Sequence, residues 1–381
     1  MRNQQTESTS HATCGAGGDI AECGQQQPKT GKKGGERDYL KNLPVGTEVV
    51  SPDGTKWQVA SNSPSSGRRG QQNVLRENPG ASPYAKRFII SGVVSSAWRL
   101  IIDDRMLKHI QKCVAEAHRV LEHDDWSLSL WELDAFLGVM YIRGALESKG
   151  MELDLLWSEK YGVQLCKDAM SRNRFREIMR FLRFDEKATR SLRLKDDKFA
   201  LISEIWNAFI LNCQGNYVPG PFIVVDEQLF PSKARCRFTQ FMASKPDKYG
   251  QKFWLAVDND RKYLVNAFPY LGKDDQRPND DRLGDFVVKK LVAPYVNKGR
   301  NVTCDNFFTS LHLAEYLIPK KTSLVGTVNK IRREVPHCVK QASDPSKKHR
   351  LVSLLEKPAS CWCSSWICVC YSPKIQVENQ Q

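Results

Sequence analysis

Two segments constrain this chain more than any other feature. Val224-Val225-Asp226-Glu227-Gln228 and Val302-Thr303-Cys304-Asp305-Asn306-Phe307-Phe308 each carry a carboxylate at or near the end of an apolar, β-branched run, about eighty positions apart. Short β-branched runs fit buried strands better than helices. Two neighbouring strands that each finish on an Asp bring hard oxygen donors together, which is how a sheet builds a divalent-metal site. The usual purpose is phosphoryl transfer on nucleic acid, with metal ions steadying the attacking and leaving oxygens. Taken alone, a strand-end Asp is as well explained by hydrogen bonds to its own turn.

The elements around the pair specify an architecture. Phe222–Leu229, Lys252–Val257 and Tyr263–Phe268 read as strands, the last two joined at Asp258-Asn259-Asp260-Arg261. A helix over Leu283–Val296, a strand over Val302–Asp305, a helix over Ser310–Leu317 and a strand over Leu324–Val328 follow. That order is the order of an α/β, ribonuclease-H-like core, a mixed sheet flanked by helices. Its first and fourth strands are neighbours, so Asp226 and Asp305 are expected to converge. Cys304, inside a strand, is expected to be a buried small apolar residue.

Ahead of the sheet the pattern is helical. Trp98, Ile101, Ile102, Leu107, Ile110 and Val114 recur at helical spacing within Val93–Val120. Ser129 and Glu132 form a capping box. A helix from Ser171 buries Phe175, Ile178, Met179 and Leu182 and turns Arg172, Arg174, Arg176, Arg180 and Arg183 mostly outward; Ala200–Phe209 is one more. Trp98, Trp126, Trp131 and Trp157 are expected in this unit's core. Residues 1–82 read as a leader: a disordered arm over 1–37, a turn and short strand at Pro52–Trp57, and a linker over 61–80. The helical unit, expected to bind DNA and to dimerise, spans 83–212, the sheet core 213–336, and a Cys-rich tail 337–381.

The charge is +14, with a pI near 9.2, and it is unevenly placed. Residues 1–82 hold ten Lys/Arg against eight Asp/Glu, but 231–252 hold six against one and 287–350 thirteen against four. A basic excess around the two Asp suits a polyanionic partner. Lys233, Arg235, Arg237, Lys245, Lys248 and Lys252 are the candidate phosphate contacts between the first two strands, with Arg172, Arg174 and Arg176 a second set. No apolar stretch approaches the roughly 18 residues of a membrane span, so no membrane partner is expected. Twelve Cys in a chain read as intracellular imply mostly free thiols. The two Cys-x-Cys pairs within Cys361–Cys370 leave little chain to wrap a tetrahedron, so zinc is not expected.

Asp168-Ala-Met-Ser-Arg-Asn-Arg-Phe175, Asp226-Glu-Gln, Ser244-Lys-Pro-Asp-Lys-Tyr-Gly250, Pro269-Tyr-Leu-Gly-Lys273, Thr303-Cys-Asp-Asn-Phe-Phe-Thr-Ser310 and Leu324-Val-Gly-Thr-Val328 together resemble the piggyBac transposases and their domesticated relatives, from about Pro83 to Pro336. The resemblance implies metal-dependent cut-and-paste DNA transposition with Mg²⁺ (or Mn²⁺) held by three Asp. It also implies transposon-end duplex DNA and TTAA targets as partners, and a nuclear location. Asp226 matches the first catalytic and metal-ligating Asp and Asp305 the second. The third belongs to a Gly-Gly-Val-Asp segment beyond the last strand, which nothing here matches, so the core reads as incomplete and the metal as weakly held or absent. Three classes of function stand open: an active transposase, a DNA-binding or regulatory module that pairs with itself or with full-length relatives, and a decayed copy.

Overall fold

The computed structural model describes residues 44, 47–54, 56–59, 74–122, 126–272, 277–329, 331–335, 351–353 and 368–369. The expected arm over 1–37, residues 61–73 of the expected linker over 61–80 and most of the Cys-rich tail, Cys361 and Cys363 included, lie outside them.

Ile223, Val225 and Leu229 of Phe222–Pro231 are buried and their alternate neighbours more open, the period of a strand with one face in a core. This strand, β1, lies in a seven-stranded mixed sheet with β2 Thr239–Phe241, β3 Tyr249–Asp258, β4 Leu264–Pro269, β5 Asn301–Cys304, β6 Ser323–Gly326 and β7 Cys368–Val369. Antiparallel pairing joins β3 to β1, β2 and β4. β5 runs parallel to β1, β6 to β5 and β7 to β6. The expected neighbours, β1 and β5, are therefore paired. The sequence reading ends the sheet at Leu324–Val328, whereas the backbone of Cys368–Val369 adds a parallel strand at that edge.

The helices that shape the molecule around the sheet are α1 Asp104–Glu122, α2 Leu130–Ala145, α3 Arg172–Phe181, α4 Ser203–Asn216, α5 Leu283–Val292 and α6 Leu311–Leu317. Val287, Val288 and Leu291 of α5 and Leu313, Ala314 and Leu317 of α6 bury one sheet face, packing on Val225, Trp254, Ala256, Val302 and Cys304. On the other face Trp206 of α4, with Phe199, packs against Phe253 and Leu255. Leu107, Ile110 and Val114 of α1, Leu133, Phe136 and Val139 of α2, and Phe175, Ile178 and Phe181 of α3 build a second core.

Local chemistry sets these boundaries. Ser129 and Glu132 make both bonds of the expected capping box. The Val93–Val120 stretch is two helices, Val94–Trp98 and α1, because Asp103 Oδ1 accepts the Met106 amide at 2.8 Å and starts a new one. Trp98, Trp126 and Trp157 pack against the helical core. Trp131 corrects the sequence reading: it is 84% exposed. At 100° per residue it lies about 200° from Leu133 and 140° from Phe136, on the outer face of α2.

Two buried side chains anchor the segment that leads into β1, Arg300 to the start of β5 and Asp258 to the end of β3. Arg300, 1% exposed, donates to the Pro219 and Gly220 carbonyls and pairs with Glu77 at 2.6 Å. Asp258 Oδ1 accepts the Asp260 and Arg261 amides at 2.9 and 2.8 Å, and its Oδ2 the Gly220 amide at 2.5 Å. Burial pushes the Asp258 carboxyl up, but the three amides and the Tyr217 hydroxyl outweigh it and hold it below the usual range. A depressed folded value gives a contribution that is complete above the unfolded value of about 3.9 and is lost as pH falls through the folded one. Asp258→Asn should thus lower stability at neutral pH by about 1–3 kcal/mol and flatten the acid limb of the urea-denaturation profile. An acid limb as steep as that of the parent chain would refute this role.

Candidate metal-dependent active site

The register Val225↔Cys304 places Asp226 and Asp305 side by side, one step further along two parallel strands about 4.8 Å apart. Val225 and Cys304 face the α5–α6 core, so alternation directs the next residue of each strand to the opposite face. Cys304 is buried as expected, its thiol pushed up by that burial.

Asp305 leaves the strand in a turn. Its Oδ1 accepts the Phe307 and Phe308 amides at 2.9 and 3.4 Å, and Thr309 Oγ1 donates to its carbonyl at 2.7 Å. Partial burial raises the Asp305 carboxyl and the charge of Asp226 adds to it, against the two amides and Lys252. Glu227 is likewise raised, by burial first, with Asp226 and Asp305 adding and Lys252 and Lys245 opposing. Partly buried carboxyls with a like charge beside them are an environment a cation relieves. The donor set, carboxylate oxygens only, fits a hard divalent ion.

Among the described residues no third carboxylate joins Asp226 and Asp305 at ligand spacing; the group with that spacing is Asp281, Asp285 and His312. Its acids are already engaged. Asp281 accepts Lys289 Nζ at 2.9 and 3.0 Å, and Asp285 accepts Arg282 at 2.9 Å and the Ser310 hydroxyl at 2.8 Å. This trio ties α5 to the start of α6.

The basic candidates separate into two sets. Lys233, Arg235, Arg237 and Lys248 are exposed on the 232–248 excursion that carries β2, beyond the carboxyl end of β1. Lys245 reaches Glu227 at 3.6 Å. Lys252 Nζ lies 4.0 Å above the Trp254 ring and 5.5 Å from that of Phe307. Burial lowers the Lys252 ammonium against the opposing pull of Glu227. The second set stays within the helical unit. Arg174 lies over Trp126 at 4.4 Å and pairs with Glu132 and Glu177, each at 2.8 Å. Arg172 and Arg176 face Asp154 at 3.1 and 3.9 Å. These bonds give Arg174 a structural role, clamping α3 to the capping box of α2.

The structure also brings together residues the sequence left in a bulk charge count. Arg282, Asn306, Phe307, Asn329, Arg332, Arg333 and Glu334 line an open cleft of about 500 Å³ beside Asp305. Arg282 and Arg332 both donate to the Phe307 carbonyl. Burial, and then the Arg282 charge, lower Arg332 from its usual value. The Arg332-Arg333 pair is visible in the sequence, but its approach to Asn306 depends on how the chain turns after β6.

A mixed sheet with helices on both faces, Asp226 in the middle of β1 and Asp305 just past the end of its parallel neighbour β5, is an arrangement found in the DDE superfamily of transposases. Residues 95–365 match the family model described as Transposase IS4, and the chain belongs to that family, in its piggyBac type. The match continues past Pro336, where the motif resemblance stops. The chain is 25% identical over 253 residues to human PiggyBac transposable element-derived protein 3, covering 64% of this chain and 41% of that protein. It is 26% identical over 212 residues to human PiggyBac transposable element-derived protein 2, covering 55% and 35%. It therefore spans less than half the length of these curated relatives. A piggyBac transposase, solved by cryo-EM as a synaptic complex with hairpin DNA, matches with a TM-score of 0.66 at 29% identity, over 77% of this chain and 66% of that one.

Proposed function

We propose that this chain binds double-stranded DNA over the middle of β1 and the carboxyl end of β5, with Asp226 and Asp305 holding a divalent ion, Mg²⁺ or Mn²⁺, and that it does not cut DNA by itself. The observation that carries the reading is the Asp226–Asp305 pair on adjacent parallel strands, with Lys252 and Lys245 acting on it and on Glu227; Lys233, Arg235, Arg237 and Lys248 lie exposed on the 232–248 excursion that follows β1. The family uses divalent metal. When bound, such an ion supplies positive charge at the reacting phosphate. The lysines and arginines neutralise phosphates and hold the duplex in register, without reading sequence. Two carboxylates hold one hydrated ion, and a second ion generally needs a further ligand. By family likeness the DNA is a transposon end or a TTAA target, the location is the nucleus, and the chain pairs with itself or with longer relatives.

Gel retardation and strand cleavage of a labelled transposon-end duplex, with Mg²⁺ or Mn²⁺, test this directly. The expected result is a retarded, uncut duplex for the chain and for Asp226→Asn and Asp305→Asn. Cutting that both variants abolish would replace the non-cutting conclusion with an active site completed from elsewhere. Absence of retardation at low salt would remove the DNA reading itself.

A further inference from the structure

The face of the sheet that carries Asp226 continues outward as an aromatic surface. Beyond Asp226 on β1 the positions sharing its face are Gln228 and Phe230, and Phe230 pairs with Gln251 of β3. Gln251 also pairs with Thr239, and one pleat further Phe241 of β2 pairs with Tyr249 of β3. Alternation therefore puts Asp226, Phe230, Phe241 and Tyr249 on one face. The packing agrees. Phe230 meets Phe253 edge-on at 5.1 Å, and the Phe241 and Tyr249 rings are 5.0 Å apart. Phe253 is sealed by Phe199, but Phe230, Phe241 and Tyr249 remain 47%, 57% and 59% exposed. Single exposed apolar residues are ordinary; three from three adjacent strands form a patch that marks a binding surface.

The chemistry at its border selects the partner. Lys233, Arg235, Arg237 and Lys248 are exposed on the 232–248 excursion that joins β1 to β3 and carries Phe241, with Asp247 its one acid. Protein interfaces are depleted in lysine, whereas aromatic faces among cations are how unpaired bases are held. Paired bases inside a duplex present no open π-face to such rings. Four residue steps separate Phe230 from Asp226, about 13 Å along β1.

We propose that Phe230, Phe241 and Tyr249 stack unpaired DNA bases that flank the phosphate at Asp226 and Asp305. This rests on the DNA-binding reading above and adds to it the three residues that hold the unpaired bases of an opened DNA end, over the β1–β3–β2 surface.

The test compares the full chain with a Phe241→Leu/Tyr249→Leu double variant, which keeps apolar area but removes the rings. The probes are a blunt duplex and the same duplex with a short unpaired 3′ extension carrying 2-aminopurine. The chain should bind the extended duplex on the order of tenfold more tightly and quench the extension's fluorescence. The variant should lose both effects while keeping its affinity for the blunt duplex. Equal binding of the two probes by the parent chain overturns the stacking surface and leaves the DNA reading standing. Binding of neither probe at low salt overturns both. Full preference retained by the leucine variant, or a variant that changes only the oligomeric state, also overturns it, the latter in favour of a protein interface.

Discussion

Trp254→Ala should cost about 3–5 kcal/mol of folding stability, a large share of the roughly 5–15 kcal/mol by which a protein this size is folded. Trp254 is 1% exposed at the junction of the sheet with the turn that follows Asp305. Its ring stacks on Phe307 at 5.7 Å and meets Phe308 at 5.5 Å and Tyr270 at 5.8 Å edge-on, with the Lys252 ammonium on its face. Truncation leaves a cavity that β-sheet hydrogen bonding on both sides keeps from collapsing, so the cavity cost adds to the lost transfer energy. Phe307 and Phe308 also supply the amides that orient Asp305, and loosening them frees that carboxylate. Trp254→Phe, which refills most of the volume, should cost about 1–2 kcal/mol. Urea denaturation of both variants measures the difference; a Trp254→Ala cost below about 1 kcal/mol would show that the junction is not a packed one.

Replacing Lys233, Arg235 and Arg237 together by Ala should weaken duplex binding by about two to three orders of magnitude at 0.1 M salt. All three are exposed beyond the carboxyl end of β1, away from the sheet core. Each phosphate contact contributes about 0.9 to the slope of log affinity against log salt, so three lost contacts should reduce the slope by up to about 2.7. Stability should change by no more than about 0.5 kcal/mol, since these are surface substitutions. An unchanged salt slope with unchanged affinity would mean that the DNA approaches by another route, and the cleft of Arg282, Arg332 and Arg333 would then be the surface to test.

Much of the core was legible because its signals are local. The β-branched runs at Phe222–Leu229 and Val302–Asp305 are strands, and the capping box at Ser129 opens a helix. The motif order placed the chain in the right family, which the match over 95–365 shows. What the sequence missed lacked a period to read. β2 is three residues long, and β7 two, held by pairing with neighbours remote in sequence. Trp131 sits among apolar residues in sequence yet on the outer side of its helix. Arg174 carries the same charge as its neighbours, and only the folded contact with Glu132, Glu177 and Trp126 separates it from them.

By itself, the sequence determined most of the stretches that become strands and helices, that two carboxylates follow two apolar β-branched runs, and that positive charge gathers in the segments around them. The tertiary structure alone decided that those carboxylates share a register step, that Arg282 and Arg332 meet at the Phe307 carbonyl, and that Phe230, Phe241 and Tyr249 line the same face as Asp226. The reason is one of range. Propensity and capping act over a few residues and are written in order along the chain. Register, shared faces and charge crowding arise between residues tens of positions apart, after the sheet has formed.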